Sequence, residues 1–187
     1  LEVVAYGSPI LRRQTDAIEN INEKIIELIN DMSVTMNAYQ GVGLAAPQIG
    51  VSKSLFLINW DHIDEEKSGY QAYINPKILE FGDEMVEADE GCLSLPEVWA
   101  PVRRSNRIRV EFTTIDGQIS EETLTGMPSR VFQHENDHLL GILFIDRISN
   151  SERKKVKNVL QDIMDGEIPV SPEEMDVVPA ESDAQAV

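Results

Sequence analysis

Two histidines four residues apart, His134 and His138, constrain this chain more than any other feature. They stand in His134-Glu135-Asn136-Asp137-His138, within a stretch that opens on Thr125 and Pro128 and closes at Gly141. A hydroxyl suits a cap, a proline in the first turn does little harm, and glycine stops the winding. The stretch is therefore predicted to be a helix over about Met127 to Leu140. Helical side chains four apart lie one above the other, so both imidazoles point at one spot and can share a cation. Glu135, next in line, reaches a water on that cation instead of the cation itself. The same face continues through Val131 and Met127, as an apolar pocket wall or as plain core. The competing reading is a solvated polar helix, because H-E-x-x-H also arises by chance.

The periodicity elsewhere places this helix among strands. Ile21, Ile25, Leu28, Ile29, Met32 and Met36 form one apolar stripe, predicting a helix from Asn20 to about Tyr39. Asn20 with Glu23 marks its start, and Gly41 with Gly43 its end. Ser54 to Asn59 reads as a buried strand. Ala72 to Asn75, Lys77 to Phe81 and Met85 to Ala88 are strand candidates broken at Pro76 and Gly82. Arg107 to Thr114 alternates like a half-exposed strand, and Asp116-Gly117 turns it into Gln118 to Leu124. A third helix is predicted from about Ser151 to Met164. The expected class is α+β: mixed or antiparallel strands around a central metal-binding helix, with an N-terminal and a C-terminal helix. Residues 1–166 form the expected catalytic domain. Residues 167–187 hold three prolines, no aromatic residue and six acids, and read as a poorly ordered acidic tail.

Charge removes several classes of function. The 187 residues carry 16 Lys+Arg against 33 Asp+Glu, a formal net charge of -17. Such a surface repels DNA and anionic membranes. No stretch approaches the roughly 18 apolar residues that a membrane span requires, and the first residues lack the pattern of a signal peptide. A single cysteine, Cys92, excludes an internal disulfide framework. The expectation is a cytoplasmic monomer.

Two histidines need a third ligand and an open position to make a catalytic metal site. Asp146 or Glu152 downstream would complete a zinc-peptidase-like set. The other candidate is Cys92, in Glu90-Gly91-Cys92-Leu93-Ser94-Leu95-Pro96. A lone cysteine is commonly an inert core thiol, but Gly91 and Pro96 make this segment look like a loop shaped around the sulfur. A third segment, Gly41 to Gly50 (GVGLAAPQIG), is small and apolar with one amide, Gln48. It reads as a tight helix-to-strand turn or as backbone that approaches a ligand closely.

Taken together, G-x-G-L-A-A-x-Q, E-G-C-L-S and Q-H-E-x-D-H-L-x-G, in this order, resemble the signature set of the peptide deformylases. The resemblance covers about Val3 to Met164. It implies that Cys92, His134 and His138 hold one divalent metal ion with water as fourth ligand. It further implies that Glu135 takes a proton from that water and returns it to the departing amine. The Gln48 amide and the backbone N–H of Leu93 would stabilise the oxyanion. The implied reaction removes formyl from the N-terminal formylmethionine of nascent chains and releases formate. Val42, Gly43 and Gly91 would pair with the extended peptide like a neighbouring strand. The methionine side chain would lie among Val42, Met127 and Val131, near the stem of Arg130. The family generally uses Fe(II) and tolerates Ni or Co, while the ligand set would also satisfy Zn.

Two features depart from the commonest pattern of the family. Trp99 stands where many members carry an arginine that orients the peptide, with Arg103 and Arg104 behind it as candidates to supply the charge. Some members dock on the ribosome through a basic C-terminal helix. Arg153, Lys154, Lys155 and Lys157 fit that role here, but the acidic tail opposes rRNA, so weak or absent contact is expected. His62 receives no role, and Glu90 is a candidate partner for an imidazole or an arginine.

Overall fold

The computed structural model describes residues 1–63 and 66–172, so most of the expected tail lies outside the described residues. Helix α1 (Glu23–Ala38) is followed by strands β1 (Gly43–Ala45), β2 (Leu55–Asn59), β3 (Tyr70–Phe81), β4 (Met85–Cys92), β5 (Leu95–Ser105), β6 (Arg107–Thr113) and β7 (Ile119–Thr125). Helices α2 (Met127–Leu139) and α3 (Asn150–Met164) complete the order. Five strands form an antiparallel sheet in the order β1-β2-β3-β6-β7, and β4 and β5 form a separate antiparallel hairpin. The class is α+β.

Strand β2, Leu55-Phe56-Leu57-Ile58-Asn59, is buried along its whole length because both faces of the sheet are covered. Leu55 and Leu57 join the core that contains Ile29, Met32 and Met36 of α1. Their alternates Phe56 and Ile58 join Val131, Phe132 and Leu139 of α2. The Phe132 ring meets Phe56 edge-on at 5.0 Å and Tyr73 at 5.1 Å. Phe132 and Leu139, seven apart, thus pin one stripe of α2 to the sheet, and His134 and His138 occupy another. Gln133 fixes the helix laterally, donating to Ser105 O at 2.8 Å and to Ser129 O at 3.0 Å. A third core packs the hairpin residues Val98, Ala100 and Val102 against Leu160 and Ile163 of α3.

Several boundaries differ from the sequence reading. The cap of α1 is Asn22, whose side chain accepts from Ile25 N–H at 3.2 Å, not Asn20. Gln40, at φ 54°, takes the left-handed position after α1. The nearby glycines serve close packing instead, since a Cβ on Gly41 would fall 2.9 Å from Leu93 Cδ1. Strand β3 runs through Pro76 by a bulge: Asn75 adopts φ 49° and its amide bonds both Ile18 N–H and Ile18 O at 2.8 Å. The β4–β5 hairpin replaces the expected loop at 90–96. Its second strand was hidden by Pro96 and Pro101, although Val98, Ala100, Val102 and Arg104 all face inward. Thr125 belongs to β7, and Gly126 precedes α2 without a side-chain cap. Of the tail, Ile168 and Val170 pack on the core.

Candidate metal centre

Helix α2 presents His134 and His138 toward the tip of the hairpin, where Cys92 ends β4. One donor atom from each of the three lies within 4.8 Å of the others, and all three residues are buried. Cys92 Sγ is 3.3 Å from His138 Nε2. Four tetrahedral ligands at ~2.0–2.3 Å from a cation stand about 3.3–3.8 Å apart, so this spacing suits a shared metal. The buried atoms His134 Nε2 and Glu135 Oε2 have no hydrogen-bond partner among the described residues, and neither has His138 Nδ1. Burial pushes the His138 imidazole well below its ordinary pKa, with His134 and Arg104 adding to the effect, so it is neutral as a ligand must be. Burial, with the charge of Glu135, pushes the Cys92 thiol up, so its proton has to leave when a cation binds. A sulfur and two imidazoles form a donor set for Zn, Fe or similar borderline ions.

The alternative ligands lie elsewhere. Asp146 is bonded by Arg12, by Arg153 and by the Leu143 N–H, and Glu152 is paired with Lys155 at 2.7 Å. Among the described residues the three-donor cluster is Cys92, His134 and His138.

Glu90, two residues before the cysteine, sets the ring of His134. Its Oε2 lies 2.9 Å from His134 Nδ1, which directs Nε2 toward the centre. Arg104 grips the same carboxylate with Nε at 2.6 Å and Nη2 at 2.8 Å, and Arg130 adds Nη1 at 2.7 Å. Burial alone would raise the Glu90 carboxyl. The bonds from Arg104 and His134 outweigh it and hold Glu90 ionised far below the usual carboxylate range. Arg104 also donates to Asp137 Oδ2 at 2.8 Å. It is 3% exposed and fully engaged, so of the two arginines expected to orient a peptide only Arg103 is exposed. The guanidinium of Arg130 is likewise spent on Glu90 and on the carbonyls of Val102 and Val86. The sequence reading gave no role to Asp137 or Gln133, and took Arg104 for a peptide-orienting charge when it is bonded to Glu90 and Asp137. The regular inward alternation of β5 was the available signal for Arg104.

Opposite the helix, Gln48 is 1% exposed, in a short turn after β1. Its Oε1 accepts from Ala45 N–H at 2.8 Å, which turns its Nε2 to Cys92 Sγ at 3.4 Å. The amide donor is therefore held on the cluster. Among the described residues, strand β1 is an edge of the five-stranded sheet and β4 pairs with β5 alone, so each keeps an unpaired side there. Gly43 begins β1 and Gly91 lies on β4, where the ring of Trp99 lies against Gly91. Val42 and Val131 are buried in one cluster, with Met127 packed on it. Two clefts of about 450 and 680 Å³ lie elsewhere and contain none of these residues.

Fold and site together are those of a metallo-hydrolase, with a His-Glu-x-x-His helix facing a hairpin cysteine that could share a metal ion with it. The polypeptide deformylase family profile matches residues 1–154. A peptide deformylase of Thermotoga neapolitana is 42% identical over 161 residues, covering 86% of this chain and 94% of that protein. The crystal structure of the Thermotoga maritima peptide deformylase is 43% identical, with a TM-score of 0.74 over 79% of this chain and 97% of that one. That of Plasmodium falciparum is 34% identical with a TM-score of 0.82, covering 88% and 96%. The chain belongs to the peptide deformylase family, metallo-hydrolases that remove the formyl group from the N-terminus of new polypeptides.

Proposed function

We propose that this chain deformylates N-formylmethionyl peptides at a metal held by Cys92, His134 and His138, with Glu135 moving the proton. The observation that carries the reading is the convergence of a hairpin sulfur and two helix imidazoles beside a buried, unpartnered carboxylate oxygen. When bound, a divalent cation supplies Lewis acidity at this spot, for the water and for the formyl carbonyl. Burial raises the Glu135 carboxyl well above the ordinary range, opposed by Arg104 and aided by Glu90 and Asp137. A carboxyl so poised accepts a proton from the attacking water and hands it to the leaving nitrogen. Gln48 Nε2 and the N–H of Leu93, the residue after Cys92, donate to the oxyanion. The free sides of β1 and β4 receive the peptide backbone at Val42, Gly43 and Gly91. Its methionine lies against Val42, Met127 and Val131, with the stem of Arg130 as flank.

The cell supplies Fe(II) in this reading, and Zn, Ni or Co can replace it. Residues 1–166 are the catalytic domain and 167–187 an appended acidic segment. The site is complete without a residue of a second copy, and we take the chain to act as a monomer. Among the described residues no helix is long and apolar enough to cross a membrane. We place the protein in the cytoplasm, away from DNA and membranes. On α3, Arg153 is bonded to Ile145 O and Asp146, and Lys155 to Glu152, which supports weak ribosome contact at most.

The test is formate release from formyl-Met-Ala-Ser by iron-loaded protein, with the metal content of Cys92→Ala measured alongside. Deformylation by the parent and loss of metal from the variant are expected. Intact formyl peptide, or a variant that keeps its metal as a zinc peptidase using a downstream acid would, overturns the reading.

A further inference from the structure

The turn that follows α2 holds His134 from two directions. Phe144 lies against its imidazole, ring centroids 6.0 Å apart and planes within 25°. Three residues on, Arg147, whose N–H bonds Phe144 O at 2.9 Å, turns its guanidinium to Asp137. Its Nε donates to Asp137 Oδ2 at 2.5 Å and its Nη2 to Oδ1. Asp137 is 4% exposed, whereas the Arg147 side chain is 41% exposed and enters from the surface. From Asp137 the bonds continue through Arg104 and Glu90 to His134 Nδ1.

We propose that Arg147 is a positioning residue for the metal centre, the outer end of the chain Arg147–Asp137–Arg104–Glu90–His134. The inference rests on the reading above that His134 is a metal ligand. Asp137 Oδ2 is shared with Arg104, but Oδ1 receives Arg147. Without Arg147 that buried oxygen loses its donor and draws Arg104 toward itself. Arg104 then loosens on Glu90, and the ring of His134 is no longer fixed. Loss of outer partners in metal sites lowers affinity or activity by about 10–100-fold.

Three variants test this: Arg147→Met, Arg147→Lys, and Arg109→Met as a control on an exposed arginine paired with Glu80 and Glu121. Each is loaded with Co(II). The readouts are the thiolate and ligand-field absorption, the rate of Co(II) loss to a chelator, and kcat and KM. Arg147→Met is expected to lose metal about 10-fold faster or more, with an altered Co(II) spectrum and a lower kcat at unchanged KM. Arg147→Lys, which keeps charge but not the two-pronged bond, falls between, and Arg109→Met matches the parent. A folded Arg147→Met with the parent's spectrum and metal-loss rate overturns the proposal. If that variant does not fold, the same two outcomes are read on Arg147→Lys. A parent without thiolate-to-cobalt absorption overturns the metal-centre reading instead.

Discussion

Replacing Gly43 with alanine puts a methyl group where the carboxylate of Glu135 stands. A Cβ on Gly43 falls 2.4 Å from Glu135 Oε1, 2.7 Å from its Cδ and 2.8 Å from its Cγ. Gly43 does not have a positive φ, so alanine adopts the β1 backbone without strain and the clash is the whole effect. Ordinary contact begins near ~3.5 Å, so the carboxylate has to retreat by about 1 Å. Glu135 is 1% exposed and cannot swing into solvent. A misplacement of that size costs roughly 100-fold in rate, about 2.7 kcal/mol of barrier. The three atoms nearest the methyl all belong to Glu135, so the clash falls on that side chain and metal content is expected to match the parent. The assay is formate release from formyl-Met-Ala-Ser under saturating peptide, with metal measured on the same sample. A variant with the parent's kcat and full metal would refute the argument that the bare Cα of Gly43 makes room for a working Glu135.

Other perturbations separate the remaining roles. Gln48→Ala removes the amide held by Ala45 N–H and is expected to lower kcat by about 100-fold or more while metal stays bound; a near-normal rate argues against Gln48 as oxyanion donor. Glu135→Gln is expected to abolish turnover and to raise the melting temperature of the metal-free protein at pH 7. Burial raises the folded pKa of Glu135, so the unfolded chain ionises first, above about pH 4.3, and stability falls as pH rises toward the folded value. The amide removes that loss, so the gap between variant and parent melts should widen from pH 5 to pH 7; a constant gap contradicts the assignment. Phe132→Ala empties the contact between α2 and the sheet and should cost about 3–5 kcal/mol in denaturant unfolding, with a much smaller loss showing that α2 is anchored by other contacts.

The helix of the histidines, its Glu135 and the α+β pattern could be read from the sequence because each depends on spacing within one element. A four-residue interval puts His134 over His138 wherever that helix sits. A continuous apolar run marked β2, alternation marked β6, and the Asp116-Gly117 turn after it marked β7. The role of Cys92 was open on spacing alone, between ligand and core thiol, and the order of three short motifs decided it by resemblance.

Tertiary structure decided what distant segments do to one another. Glu90 and His134 are 44 residues apart, and their contact depends on where the β4–β5 hairpin lies against α2. Arg103 and Arg104 are adjacent letters of one charge, yet the pleat exposes the first and buries the second among Glu90 and Asp137. Gly41 and Gly43 looked like a helix stop, but the side chains that need their bare Cα atoms, Leu93 and Glu135, arrive from the hairpin and from α2. Local periodicity fixes which face a residue takes within its element. Which partner waits there is settled only when sheet and helix close on each other, because hydrogen bonds and van der Waals contacts act over a few ångströms of space regardless of separation along the chain.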